Sequence, residues 1–245
     1  MHAWKRAELV AGAALAILIG VSAPAVAQQQ PAAAGPAAAA PAAAPAVSVP
    51  LDAKKLYLRR SCIACHGKDG QKAIQEYPSL AGQRADYMIA QIEDIISGKR
   101  VGGADASGNP RSKGMRGALV APDGARRITV EEVKAIATWL AEVPALPADP
   151  PPAALAPDKL ASAGKMFAEK CESCHGVEGR APLEGFPAIG GQKHAYVLAQ
   201  MQDIKSGART NGQSEAMKAI VDELSAADME LLAAYVAMQD PNIKK

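Results

Sequence analysis

Aromatic side chains are scarce in this chain. They make up 4% of 245 residues, with only two Phe and two Trp. Two domains of about a hundred residues with so few large rings would have thin cores. A planar, largely apolar guest would fill such interiors. Charge of one sign is also lacking: the formal net charge is +2. No aromatic-basic stripe accompanies it, so nucleic acid is not an expected partner. Alternating apolar and polar runs are missing, which argues against strands and for an all-α fold. There are only four cysteines, and they fall in two pairs.

One long apolar run exists, Leu9–Ala23, preceded by Lys5 and Arg6 and followed by Ala25-Val26-Ala27. A basic start, an apolar centre and an A-x-A site make residues 1–27 an export signal. The run is shorter than the ~20 residues of a spanning helix, and an uncleaved N-terminal anchor is the alternative membrane connection. Either way the rest of the chain is expected in the periplasm. Residues 28–50 are a low-complexity stretch dominated by Ala and Pro. Frequent prolines prevent a continuous helix, and the segment reads as a semi-extended tether.

The remainder repeats itself. At an offset of 109, Cys62, Cys65, His66 and Gly67 fall on Cys171, Cys174, His175 and Gly176. The stretch YPSLAGQ (77–83) falls on FPAIGGQ (186–192). Tyr87, Gln91, Asp94 and Arg100 fall on Tyr196, Gln200, Asp203 and Arg209. The offset then drops to 96, so the first copy carries 13 extra residues between Arg100 and Ile128. Repeats of this length are tandem domains rather than a solenoid. The expected division is domain 1 over 51–143, a Pro-rich linker over 144–157, domain 2 over 158–240 and a tail over 241–245. Each copy predicts a helix running into its Cys motif, a middle helix with an apolar stripe (Met88, Ile92 and Ile95, or Val197, Met201 and Ile204), and a closing helix. Thr129 with Glu132, and Ser225 with Asp228, have the spacing of a helix-opening capping box. The two copies differ in charge. Residues 51–147 hold 15 basic and 11 acidic side chains, a net of +4, and residues 148–245 hold 10 and 13, a net of −3. Such a dipole either orients a partner or is ordinary solvated charge.

Three chemistries use Cys-x-x-Cys. A thioredoxin-like dithiol wants a βαβ setting, which this chain lacks. Zinc wants four ligands, and each repeat offers an incomplete set with awkwardly spaced histidine. Cys-x-x-Cys-His is the attachment pattern of c-type haem. Two thiols bond one edge of the porphyrin, and the adjacent histidine ligates the iron. Its occurrence twice, in register, in an exported chain points to two covalently bound haem c groups. They would be held by Cys62 and Cys65, and by Cys171 and Cys174, with His66 and His175 as axial ligands. The second axial position is open to Met, His, Lys or no protein ligand. Met115 and Met217 both lie in loops before the closing helix and are the expected ligands. Lys113 is an alternative in the first copy, whereas His194 reads as a surface residue.

These motifs together resemble the class I cytochromes c, and most nearly the dihaem c-four group of bacterial cytochromes. The resemblance covers about Leu51 to Gln239. It implies an all-α fold of two tandem cytochrome c domains, each wrapped around one haem. It also implies that the carbonyls of Pro78 and Pro187 accept the Nδ1 proton of the axial histidines. The 13 extra residues around Met115 depart from the family pattern. His/Met ligation leaves no open iron site and suits outer-sphere electron transfer. The implied function is a non-enzymatic, one-electron periplasmic carrier between redox proteins, from a quinol-oxidising complex to a terminal oxidase or reductase. A second reading is the electron-accepting subunit of a sulfide- or thiosulfate-oxidising dehydrogenase. A third, a haem enzyme or sensor, applies if one iron is five-coordinate.

Overall fold

The structure, a computed structural model, describes residues 50–149, 155–180 and 182–242. The export signal, all but the last residue of the Ala/Pro tether, the centre of the linker and the last three residues of the tail lie outside them. The described residues contain ten α-helices and no strand. Two isolated β-bridges, Ala104 with Pro110 and Val120 with Arg126, both lie in the expanded segment of the first half. No described helix is long and apolar enough to cross a membrane.

The two halves use the same five-helix order. The first has α1 (Ala53–Arg59), α2 (Ile63–His66), α3 (Ala85–Ser97), α4 (Lys113–Leu119) and α5 (Val130–Glu142). The second has α6 (Pro157–Lys170), α7 (Glu172–His175), α8 (His194–Lys205), α9 (Ser214–Asp222) and α10 (Ala226–Ala237). Local chemistry sets the ends. Both capping boxes form, Thr129 with Glu132 on α5 and Ser225 with Asp228 on α10. Gly98 ends α3 at φ +79, a left-handed conformation that a side chain would strain. Asp52 caps α1 by accepting from the Lys55 amide at 3.0 Å.

Each half has its own core where the first, middle and closing helices meet. In the first, Tyr57, Met88, Ile95, Val133, Ile136 and Leu140 are buried; in the second, Phe167, Val197, Met201, Ile204, Leu232 and Val236. Each large apolar side chain so buried contributes about 1.5–3 kcal/mol. An aromatic pair sits in each core: Tyr57 with Trp139 at 5.4 Å between centroids, and Phe167 with Tyr235 at 5.5 Å. The offset of the first partner is 110, not 109. The chain before Cys62 explains it. Ser61 has φ +59, and the Cys62 amide reaches back five residues to the Tyr57 carbonyl. In the second half the Cys171 amide reaches back four, to Phe167. The first helix therefore stops at Arg59, short of the Cys motif it was expected to run into, because one extra residue bulges out ahead of the cysteine.

The halves meet through reciprocal hydrogen bonds. The Gln83 side chain donates to the Ala188 carbonyl and accepts from the Ala188 amide, at 2.8 and 2.9 Å. Gln192 does the same with Ser79, at 2.9 and 3.0 Å. The expanded segment also crosses the seam. The Gly102 amide donates to the Ala208 carbonyl at 3.1 Å, and Arg111 Nε donates to buried Asp203 at 3.3 Å.

Candidate haem sites

Each cysteine pair straddles a single helical turn, α2 or α7. None of the four sulfurs is in a disulfide, and all are partly buried. Burial pushes the Cys62 and Cys171 thiols up to about 11. Among the described residues no three His, Cys, Asp or Glu side chains converge as a metal site.

Behind each pair stands a buried histidine, 7% exposed in both halves. His66 Nδ1 lies 3.0 Å from the Pro78 carbonyl oxygen, and His175 Nδ1 lies 3.0 Å from that of Pro187. A carbonyl only accepts, so Nδ1 carries the proton and Nε2 keeps its lone pair. Burial lowers both imidazole pKa values, partly countered by the proline carbonyls, which favours the neutral ring a metal needs. The loops that bring the prolines here hinge on glycine. Gly70 and Gly179, at φ +73 and +79, each accept two amides from the loop beyond the proline: Leu80 and Ala81, or Ile189 and Gly190. A Cβ on Gly179 would lie 2.7 Å from the Gly190 nitrogen. The Gly67 carbonyl is fixed by the buried Tyr57 hydroxyl at 2.7 Å.

His66, His175, Met115 and Met217 all line one cavity of about 750 Å³ that runs through both halves. This size is in the range of cofactor pockets. Met115 and Met217 are not in loops, as the sequence led one to expect. Each sits on a short helix, α4 and α9, packed at the edge of its core. Despite the 13 extra residues, the first half still brings its methionine to the cavity. Met88 and Met201 reach the cavity too, from the buried stripes, as does Ile92. Lys113 does not line it; its Nζ is exposed and donates to Asn109 Oδ1 at 2.6 Å. His194, expected at the surface, is mostly buried, with its Nε2 2.9 Å from Glu230 Oε1 and no place on the cavity wall.

A polar cluster at the seam completes the cavity. Arg209 is buried and donates to Gln200, Tyr87, Gln91 and Asn211 at 2.8–3.2 Å. Arg100 donates to Tyr196, Gln91 and Gln200 at 2.9–3.1 Å. Every one of these acceptors is neutral, and neither guanidinium has an ion pair among the described residues. The buried Asp203 carboxylate acts on Arg100 through space, but two secluded cations without an ion pair of their own are still costly. Burial raises the Tyr87 pKa, but the charges of Arg209 and Arg100 outweigh it and hold the phenol below its ordinary value. Surplus positive potential thus faces the cavity. The carboxylates of a bound haem would supply balancing anions there. An apolar cavity, paired thiols, a neutral imidazole with a free Nε2, thioethers and unneutralised arginines form a donor set that fits haem c.

The sequence alone did not assign Gln83, Gln91, Arg100 and Arg209, or their mates, any role. They were visible as identities between the copies. The available signal was that buried polar residues repeat while their apolar neighbours drift.

Comparison with known proteins agrees. The cytochrome c family profile matches residues 51–144 and 161–239. Cytochrome c4 of Azotobacter vinelandii is 33% identical over 181 residues, covering 71% of this chain and 82% of that protein. A thiosulfate dehydrogenase electron acceptor of Stutzerimonas stutzeri is 28% identical over 204 residues, covering 76% and 85%. The crystal structure of reduced recombinant cytochrome c4 from Pseudomonas stutzeri superposes with a TM-score of 0.60 at 28% identity, covering 77% of this chain and 98% of that one. The chain belongs to the cytochrome c family, as a dihaem class I cytochrome c of the c4 type that carries two covalently bound haem c groups and transfers electrons without being an enzyme.

Proposed function

We propose that this protein is a periplasmic carrier that takes electrons from a quinol-oxidising complex and passes them to a terminal oxidase or reductase. In this reading residues 1–27 direct export, and 51–143 and 158–240 are the two haem domains. Cys62, Cys65, Cys171 and Cys174 form the thioethers. His66 and Met115, and His175 and Met217, are the axial pairs. Bound there, haem supplies one-electron exchange between ferric and ferrous iron. The chain's own residues do the rest. The Pro78 and Pro187 carbonyls hold the imidazoles in the ligating tautomer and enrich Nε2. The methionine thioethers favour the reduced state. The apolar walls exclude water, and Arg100 and Arg209 neutralise buried carboxylates.

The observation that carries the reading is the single cavity. Both His/Met sets open onto it and share one polar seam, so an electron on either side has a route to the other without leaving the protein. A test is electron delivery in membranes that contain a quinol-oxidising complex and an oxidase. Adding the holoprotein should raise oxygen uptake in proportion to its concentration. No increase would refute this carrier role.

The likeness to a thiosulfate dehydrogenase electron acceptor favours a second reading, an acceptor for a periplasmic dehydrogenase. A stoichiometric dehydrogenase co-purifying with the protein would decide for it.

A further inference from the structure

The two ends of the cavity differ in charge. In the first half, Ser61, Gly114 and Ala118 both line the cavity and are exposed, so they mark its mouth. Beside it lies a shallow depression of about 340 Å³ walled by Lys113, Arg116 and Arg127, with no carboxylate in its lining. Arg60, itself on the cavity wall, joins the two by donating to the Arg127 carbonyl at 2.5 Å. Arg116 and Arg127 have no side-chain partner among the described residues, and Lys113 has only neutral Asn109. Two nearby acids are already paired: Glu93 is held by both terminal nitrogens of Arg126 at 2.6–2.7 Å, and Glu132 by Arg60 and Arg59. Asp123 accepts only from the Ala125 amide and keeps its charge, so three rim cations face one such carboxylate. Next to this basic rim, exposed Ile63 and Ala64 fill the positions between the two cysteines.

The second half reverses each element. Ser173 and Ala216 mark its mouth. The residues between its cysteines are Glu172 and Ser173, and Glu215 stands two before Met217, where Lys113 stands two before Met115. Its cations are neutralised: Lys170 pairs with Glu223 at 2.8 Å and Lys218 with Asp222 at 2.7 Å.

A cavity mouth with a cluster of unpaired cations beside it is a docking surface for an acidic protein. We propose that the mouth of the first half, flanked by the depression of Lys113, Arg116 and Arg127, docks an acidic redox protein, and that the second mouth repels it. The inference rests on the electron-carrier reading and adds which haem meets which kind of partner. Part of this rim comes from the expanded segment, which gives those extra residues a use. Opposed charge on the two mouths would orient encounters before contact.

The test maps binding on the ¹⁵N-labelled oxidised holoprotein by NMR, with zinc-substituted plant plastocyanin as an acidic, redox-inert probe. At about 10 mM salt, where charge acts over roughly 30 Å, shift changes should centre on Ile63, Gly114–Gly117 and Arg127. They should vanish in about 1 M salt. The variant K113E/R116E/R127E should weaken binding at least about tenfold, while an unchanged visible spectrum shows that both haem sites remain intact. Changes centred on the second half or the seam would overturn the proposal, as would a triple variant that binds as well as the parent. Failure of the carrier reading looks different: the docking map would stand, but no electron would pass to any redox protein.

Discussion

Arg209 offers a perturbation whose size depends on the haem carboxylates. Its guanidinium is buried and bonded to four neutral side chains, with no carboxylate ion-paired to it among the described residues. Consider Arg209→Met. If those neutral partners were its whole environment, the variant would shed a desolvated cation and lose only ordinary hydrogen bonds. The net cost would be at most about 1–2 kcal/mol, because desolvation offsets the bonds. If buried haem carboxylates are its partners, the variant strands an anion, and breaking a buried pair costs about 3–5 kcal/mol. For a unit of this size that shifts the melting temperature by roughly 6–20 °C, at about 2–4 °C per kcal/mol. The assay is guanidinium unfolding of the holoprotein followed at the haem absorption band. Arg209→Lys keeps the charge without the planar fork and should fall between the parent and Arg209→Met. An Arg209→Met holoprotein within about 1 kcal/mol of the parent would refute the assignment of the seam arginines to the haem carboxylates.

Glu132→Gln should cost about 1–2 kcal/mol at neutral pH, since Glu132 caps α5 and pairs with Arg60 at 2.5 Å. The Arg60 bond holds its carboxyl below the ordinary glutamate value. The stabilisation is therefore present above that value and lost as pH falls through the lowered one, so parent and variant unfolding curves should converge in acid. Gly179→Ala places a Cβ against the Gly190 nitrogen and Ile189 Cγ1, at 2.7 and 2.8 Å, on a left-handed backbone. A loss of about 2–4 kcal/mol in unfolding free energy is expected. Met217→Ala should abolish the methionine–iron charge-transfer band of one haem and let carbon monoxide bind there, read by absorption difference spectra.

Much of the fold was legible because duplication wrote it twice. The helix order, the capping boxes and the stripes of α3 and α8 followed from spacing, since apolar period and cap chemistry are local. The bulge at Ser61 was not legible. It changes one offset by a single residue, and the Tyr57–Trp139 packing and the Cys62 amide bond to the Tyr57 carbonyl expose it. The cysteines and histidines proposed to hold haem were readable because covalent attachment demands a fixed spacing. The seam was hidden because Gln83 reaches Ala188 across 105 residues, and no local pattern encodes such a contact. The helical setting of Met115 and Met217 was missed for a related reason. Both helices are short and Met115 is flanked by glycine, so intrinsic propensity is weak and packing against the core decides.

The central claim is that this chain carries two His/Met-ligated c-type haems that exchange electrons. The most direct measurement is a redox titration of the protein, expressed in a periplasm with haem-maturation machinery and followed by visible absorption. Two covalent haems are expected, both low-spin with a methionine–iron charge-transfer band, titrating at positive potentials. A high-spin or low-potential haem would contradict the ligand set in the half that holds it, and the absence of any haem signal would contradict the whole account.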